Sequence, residues 1–466
     1  MIHVHLIGIG GSGLSAIARL LIERGYSVSG SDQELSSLAR EIQDLGAKVN
    51  IGHRAEQVLG ADEVIRSSAI PEDNVEVKAA IAAGIPVYKR SDYLCKLIED
   101  RIGIAVAGTH GKTTTTAMIS WLLMALNLDP SYIIGGVSKN LGNNAHAGKG
   151  QAFVIEADEY DYMFLGLQPQ IAVVTNIEHD HPDCFPTAED FFQAFVDFAR
   201  QLPADGTLIL CSDDHGTLKL LDMAREFDSK TFSYGLQTLE NQKPPDYFAR
   251  NLFQTQFGFY EFEAFFENKL LASVSLKIPG IHNVSNALAT LAVAHQMKIP
   301  MNDAAQILNE FQGTVRRFEL RGEVSGIAII DDYAHHPTEI RATLTAARNR
   351  YPGRQLWAVW QPHTYSRTKT LFDEYLTAFQ EADHVLVTEI YASREPVNAE
   401  FSSLRVVQSM NHPDVHFLAS NLQVTNYLVS NLHKGDVLLV LSAGDAYQIS
   451  DDVINLLSVN GNAKNG

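Results

Sequence analysis

Lys112 stands in the run Gly108-Thr109-His110-Gly111-Lys112-Thr113-Thr114, directly behind the apolar stretch IGIAVA. An apolar strand, a turn bearing two glycines and a helix start together make a phosphate cradle. Backbone N–H groups point at the anion, and the lysine reaches the β- and γ-phosphates. The Thr113 hydroxyl suits Mg²⁺. The spacing departs from G-x-x-x-x-G-K-[ST], because Val106 stands five positions before Gly111. The chemistry survives that departure, and a lysine at a helix start needs an anion. A ligand-free turn is therefore the weaker reading.

Two later apolar runs end in metal-type ligands. EADEYD offers Glu156, Asp158, Glu159 and Asp161; TNIEHDHPD offers Glu178, His179, Asp180, His181 and Asp183. Acidic strand ends are commonly solvated loops or helix caps. Beside Lys112 they favour one or two Mg²⁺ ions that share phosphate oxygens.

A second phosphate-type loop opens the chain. Gly8-Ile9-Gly10-Gly11-Ser12-Gly13 matches G-x-G-x-x-G, and Asp32 closes the next apolar run. The glycines let backbone approach a pyrophosphate, and Asp32 could accept from a sugar hydroxyl. This loop alone suits a nicotinamide-dependent dehydrogenase, which would leave Lys112 and the acidic strand ends unexplained.

These loops need sheets to carry them. A chain of 466 residues is too long for one ordinary core. The first stretch alternates short apolar runs (IHVHLIGIG, YSVSGSD, DEVIRSSAI, IPVYKR) with amphipathic segments, which implies a parallel sheet. A new sheet starts at RIGIAVAGTHGKT and continues through AFVIEADEYD, QIAVVTNIEHDH and GTLILCSDD. Between Lys230 and Lys277 the runs shorten and alternate, as in antiparallel hairpins. A third unit carries GIAIIDDYAHHP, RQLWAVWQPHT, ADHVLVTEIYA and GDVLLVLSAGD, each an apolar run followed at once by polar residues. The expected division is 1–100, 101–314 and 315–466, an α/β chain of three domains.

The formal charge of −19 argues against a general nucleic-acid binder. Cys95, Cys184 and Cys211 are widely separated and lack metal-type spacing, which suits a reducing compartment. No apolar run is long enough to span a bilayer, and the opening residues lack a signal-peptide pattern. The expected location is the cytoplasm, without membrane insertion.

Taken together, these motifs resemble the Mur ligases of bacterial cell-wall synthesis over essentially the full length. The resemblance is carried by HLIGIGGSGLSAIA, SGSD, SSAI, AGTHGKTTTTAMI, EADEYD, TNIEHDHPD, GIHNVSNALA, VRRFE, DDYAHHPTEI, QPHTYSRT, YASREP and SAGD, in family order. It implies a Rossmann-like UDP-sugar domain, a central P-loop ATPase-like domain and a C-terminal Rossmann-like domain. It also implies ATP-dependent joining of L-alanine to the lactyl carboxylate of UDP-N-acetylmuramate through an acyl phosphate.

The resemblance carries roles residue by residue. Gly8, Gly10, Gly11, Ser12, Gly13, Ser31, Asp32, Ser67 and Ser68 would hold the UDP-sugar. The run from Gly108 to Thr114, with Asn283, Asn286, Arg317 and Asp332, would hold ATP, and His282 opens the asparagine motif. Lys112 and Arg317 would act on the transferred phosphoryl group. Thr113, Glu156 and His181 would hold Mg²⁺, with His179 as an alternative to His181. His335, His336, Tyr391 and Arg394 would line the amino-acid side, the histidines also being candidates for a general base.

The segment from Pro182 to Arg200 contains no lysine, so the carbamylated metal-binding lysine of the later ligases is not expected. Tyr160 and Thr364 depart from the family pattern. A ligase that attaches recycled tripeptide to UDP-N-acetylmuramate is the alternative within the family, and a non-catalytic nucleotide-binding regulator the alternative outside it. The implied chain is a monomer or homodimer whose outer domains close on the central one.

Overall fold

The computed structural model describes residues 1–236 and 244–463, with side chains described to residue 459. Three sheets follow one another along the chain. The first has five parallel strands in the spatial order Lys48–Ile51, Ser27–Asp32, His3–Ile7, Glu63–Arg66, Val87–Lys89. Strand order reverses between His3–Ile7 and Glu63–Arg66, and the Gly8–Gly13 loop and Ser67-Ser68 leave from that switch point. Ligands of open parallel sheets bind at such a place.

The second sheet has ten strands. Its parallel centre holds Ile102–Ala107 between Ala152–Glu156 and Ile171–Val174. These three strands deliver the Lys112 loop and both acidic strand ends to one edge. Lys230–Gly235 still pairs in parallel with Thr207–Cys211, so the change of character comes later than Lys230. Antiparallel pairing occurs in the meander Tyr247–Gln254, Tyr260–Phe266 and Lys269–Ser275 and in the short pair Ser131–Ile133 and Ala145–His146. The third sheet has six strands, with Glu319–Val324 running antiparallel along one edge. Lys48–Ile51, Ser131–Ile133, Ala145–His146, Glu319–Val324 and Val415–Phe417 are strands that the apolar pattern did not flag. All five are short, exposed or at sheet edges, where burial leaves little periodic signal.

The first two units share one apolar core. Leu14, Ile17, Leu94 and Leu97 pack in the same cluster as Phe153, Phe164 and Phe195. The third unit has its own two clusters, made of residues from Phe318 onward. It meets the rest through polar pairs, the situation in which relative domain motion is expected. Among the described residues, no helix is long and apolar enough to cross a membrane.

Candidate active site

The helix Lys112–Ala125 begins on Gly111, whose φ of 82° lies in the left-handed region that only glycine adopts freely. No side chain caps this helix start, so its first N–H groups remain available to an anion. Lys112 folds back over its own loop. Its Nζ donates to the carbonyls of Gly108 and Thr109 and lies 2.9 Å from Glu159 Oε2. Burial alone would lower the Lys112 pKa, but the carboxylates of Glu159, Glu156 and Asp158 hold it above its ordinary value. The lysine is therefore charged.

Thr113 Oγ1 donates to Glu156 Oε1 at 3.0 Å, and the Gly135 amide donates to Glu156 Oε2 at 2.7 Å. Burial pushes the Glu156 pKa up, and Lys112 only partly offsets that. A carboxylate and a hydroxyl, both hard oxygen donors, thus converge beside a phosphate cradle, and among the described residues the carboxylate makes no direct ion pair, Lys112 and Arg317 acting on it only from a distance. This donor set fits Mg²⁺. His181 has φ 55°, and its Nε2 lies 3.6 Å from Glu159 Oε1, at the same end of the site. His179 turns away: its Nε2 meets the Phe185 carbonyl at 2.8 Å, and its ring packs on Phe191. Of the two histidines, His181 alone faces the cradle.

Two cavities open on this wall. The larger, about 990 Å³, draws residues from all three units, including Ser12 and Ser68, Lys112 and Glu156, His335 and Arg394. The smaller, about 430 Å³, lies between the second and third units and is lined by Thr114, Asn283, Asn286, Arg317 and Asp332. In its wall Asn286 donates to Asn283 Oδ1 at 3.0 Å and accepts from Thr115 Oγ1 at 3.2 Å. Asp332 accepts from the Phe318 and Ala334 amides, each at 2.7 Å, and burial raises its pKa to about 6. His282 also lines this cavity, and burial lowers its pKa to about 4.

At the glycine loop, several of the expected residues hold the loop itself. Ser31 is fully buried; its hydroxyl donates to Glu76 and meets His53 Nδ1 at 3.0 Å. Its contribution to the loop is its carbonyl, which accepts from Gly8 and Ile9. Asp32 is occupied as well, because Oδ2 accepts from the Gly10 amide at 2.8 Å and Oδ1 from Gln33 at 2.7 Å. It shapes the loop instead of reaching into the cavity. Ser67 packs against Gly8 and bonds the Ala69 amide, while the neighbouring Ser68 faces the cavity.

Arg90 was not visible as a site residue in the sequence. Its guanidinium lies against Gly13, where a Cβ would collide with it. It reaches Asp158 Oδ2 at 3.2 Å in the second unit and donates to Met163 Sδ. A cation thus sits over the first glycine loop, at the loop-facing end of the large cavity.

The third unit delivers a group of histidines and Arg367. His335 lines the large cavity, and burial, then Arg367, lowers its pKa to about 4. His363, also in the wall, accepts from Arg367 at 3.0 Å, and burial lowers its pKa to about 2. Both rings are neutral near pH 7. Arg367 Nε meets Asp180 Oδ1 at 2.7 Å across the seam. Burial opposes the charge on Asp180, but Arg367 holds its pKa well below the ordinary range.

His336 is placed differently from His335. It is buried, caps the helix Pro337–Arg350 by accepting from the Thr338 amide, and packs at a tilt against the His110 ring, 4.6 Å between centroids. It lines neither cavity. Tyr391 likewise stands outside both, stacked on His363. Arg394 lies 3.8 Å above the Tyr160 ring, whose hydroxyl donates to Asp183 at 2.9 Å. Thr364 caps the helix Tyr365–Thr370, with φ 64°. Glu178 and Glu339 were also missed as partners. His110 Nε2 lies 3.1 Å from Glu178, and its Nδ1 3.2 Å from Glu339. Arg317 reaches Glu339 at 3.4 Å. Pairs so distant in sequence leave no local spacing to read.

Comparison with known proteins agrees with this arrangement. Three family profiles match in succession: Mur ligase family, catalytic domain, over 3–101; Mur ligase middle domain, over 106–294; and Mur ligase, glutamate ligase domain, over 316–444. The UDP-N-acetylmuramate–L-alanine ligase of Caldanaerobacter subterraneus subsp. tengcongensis is 39% identical over 451 residues, 96% of each chain. That of Sorangium cellulosum is 42% identical over 450 residues, 95% of this chain and 94% of the relative. The crystal structure of the UDP-N-acetylmuramate–alanine ligase of Thermotoga maritima superposes with a TM-score of 0.82 at 26% identity, covering 99% of this chain and 100% of that one. A murein peptide ligase of Psychrobacter arcticus superposes with a TM-score of 0.73 at 26% identity, covering 98% and 99%.

Proposed function

The chain belongs to the Mur ligase family, and from that membership we propose that it joins L-alanine to the lactyl carboxylate of UDP-N-acetylmuramate at the expense of ATP. The observation that carries this reading is the large cavity itself. It places the first glycine loop, the Lys112 cradle and the neutral histidines of the third unit around one space. The finer labels follow the same reading: Rossmann-like first and third domains, and a P-loop ATPase-like second domain, divided at 1–100, 101–314 and 315–466.

In the first step a carboxylate oxygen of the sugar attacks the γ-phosphorus, and ADP leaves. The product is an acyl phosphate. Two anions must approach each other, so cations have to screen them. Lys112 is charged and sits on the cradle. Arg317 faces the same space, its guanidinium held by Glu339. Thr113, Glu156 and His181 would hold Mg²⁺, which when bound supplies charge neutralisation on the phosphates. Asn283, Asn286 and Asp332 would line the nucleotide's own cavity.

In the second step the alanine amine attacks the acyl carbon, and phosphate leaves from the tetrahedral intermediate. Arg394 would meet the amino-acid carboxylate, since its fork matches that group. His335 is neutral and can take up the proton that the amine loses. His336 is sealed behind His110 and is not assigned a proton-transfer role. Arg90 and the N-terminus of the helix Ser12–Glu23 would hold the UDP pyrophosphate. The protein is read as a cytoplasmic monomer or homodimer working on small molecules.

Phosphate release by the purified chain with Mg-ATP and UDP-N-acetylmuramate tests the reading, with L-alanine, glycine, L-serine or the cell-wall tripeptide added in turn. Release that depends on L-alanine is expected. Release with the tripeptide alone would transfer the chain to the recycling reaction.

A further inference from the structure

Behind the nucleotide cradle lies a group of side chains that includes His110 of the ATP loop and two residues, Glu178 and His336, to which the ligase reaction gives no role. We infer that His110, Glu178 and His336 form a binding site for a late first-row divalent cation of the zinc type, separate from the Thr113–Glu156 oxygen site. One donor atom from each lies within 4.8 Å of the other two. Glu178 Oε2 stands 3.1 Å from His110 Nε2 and 3.6 Å from His336 Nδ1. Donors on a tetrahedral zinc at about 2.0–2.1 Å stand roughly 3.3–3.5 Å apart. Glu178 therefore stands near ligand spacing from both histidines, and the gap between the histidines, at most 4.8 Å, would close by up to roughly 1.5 Å.

The donor types select the metal. Two imidazoles and one carboxylate suit zinc-type ions and are a poor set for Mg²⁺, which prefers oxygen. Two outer groups stand near these donors, although His110 Nδ1 forms no hydrogen bond in this arrangement among the described residues. Glu339 Oε1 lies 3.2 Å from the other nitrogen of His110, and Thr338 Oγ1 donates to Glu178 Oε2 at 2.7 Å. A carboxylate behind a ligating histidine fixes the ring and raises its basicity.

The metal-free arrangement leaves an electrostatic mismatch that a cation would relieve. His336 Nδ1 accepts from the Thr338 amide at 3.3 Å, so this nitrogen carries a lone pair. That lone pair and the Glu178 carboxylate face each other at 3.6 Å, two electron-rich atoms side by side. The opposite nitrogen, Nε2, is buried without a hydrogen-bond partner. Metal binding would cost the long Thr338 bond and the His110–Glu178 contact, and His110 would release its proton to the solvent. His110 and Glu178 also line the smaller cavity, which leaves the fourth position to water or another oxygen.

His110 and Glu178 belong to the second unit and His336 to the third, so the ion would tie the two together. The test is a cobalt titration of the full chain with Mg²⁺ in excess. One equivalent giving the intense visible band of four-coordinate cobalt is expected, with that band lost in His336→Ala and in Glu178→Gln. A weak six-coordinate spectrum in the unmodified chain overturns the site. So does a band that persists in both variants, which would place the ion elsewhere, for instance at the surface group His384, Asp414 and His416. If circular dichroism shows that the variants do not fold, X-ray absorption of the zinc-loaded unmodified chain decides. Two imidazoles and one carboxylate are expected in its first shell, and a shell of oxygens alone overturns the proposal.

Discussion

Arg367 of the third unit and Asp180 of the second meet at 2.7 Å, with neither side chain more than 5% exposed. Removing one member of a buried pair typically costs about 3–5 kcal/mol, because the other charge stays behind unpaired. Arg367→Ala and Asp180→Ala are each expected to lower the thermal midpoint clearly. The double variant is expected to lose less than the sum of the two. Thermal scans of the three variants check this, and strict additivity would show that the pair is not coupled.

Lys112 has two separable duties. Lys112→Ala is expected to reduce L-alanine-dependent phosphate release by about 10²-fold or more, the usual scale for losing a group that stabilises transferred charge. It is also expected to lower stability, because Glu159 is only 1% exposed and would lose its partner. Lys112→Met combined with Glu159→Gln should restore the melting temperature and leave turnover low. Recovery of turnover in the double variant would remove Lys112 from the chemistry.

Stability should depend on pH through His110 and Glu178. Burial disfavours the charged form of His110, but Glu178 and Glu339 raise its pKa from 6.5 to about 9. Its contribution is complete below 6.5 and is lost as pH rises through about 9. Burial opposes the charge on Glu178 as well, yet His110 lowers its pKa from 4.5 to about 2, so its share is complete above 4.5 and is lost as pH falls towards 2. His336, packed at a tilt against His110 and held neutral by burial, completes the group. In chelated buffer, the stability difference between the unmodified chain and His110→Asn should shrink from pH 6.5 to 9, by on the order of 3 kcal/mol at most. A flat difference would contradict the ion pairing.

Arg90 over Gly13 predicts a specific pattern of binding. Arg90→Ala should weaken UDP-N-acetylmuramate by about ten- to a hundredfold, the range for a lost charged hydrogen bond of about 1.5–3 kcal/mol. ATP affinity should be unchanged. Gly13→Ala should act in the same direction, because its Cβ would displace the guanidinium. Titration calorimetry with each nucleotide separates the two effects, and equal weakening of ATP would refute the assignment.

The sequence carried the cradle well because its residues are neighbours in the chain. Lys112, Thr113 and the two acidic segments follow the ends of three adjacent strands, and an apolar run ending in polar residues marks each of them. Asp32 and Ser31 show what spacing leaves open. Residues at a strand end beside a glycine loop can point at a ligand or hold the loop, and the choice depends on Gly10 and Glu76, which spacing does not reveal. His336 looked identical to His335, yet one rotates into the cavity and the other caps a helix. Arg90, Arg367 and Glu339 act on partners in other units, so no window along the chain contains both members of those contacts.

The two cavities share a wall. His110, Gly111, Thr113, Arg317 and Glu339 line both. A single tethered compound could therefore fill the nucleotide side and the sugar side at once, with a linker passing over Gly111. Binding of the second half would become intramolecular, and the gain would come from effective concentration without any new contact. Linker length then becomes a ruler: affinity should peak where the tether just spans the wall and fall off on either side.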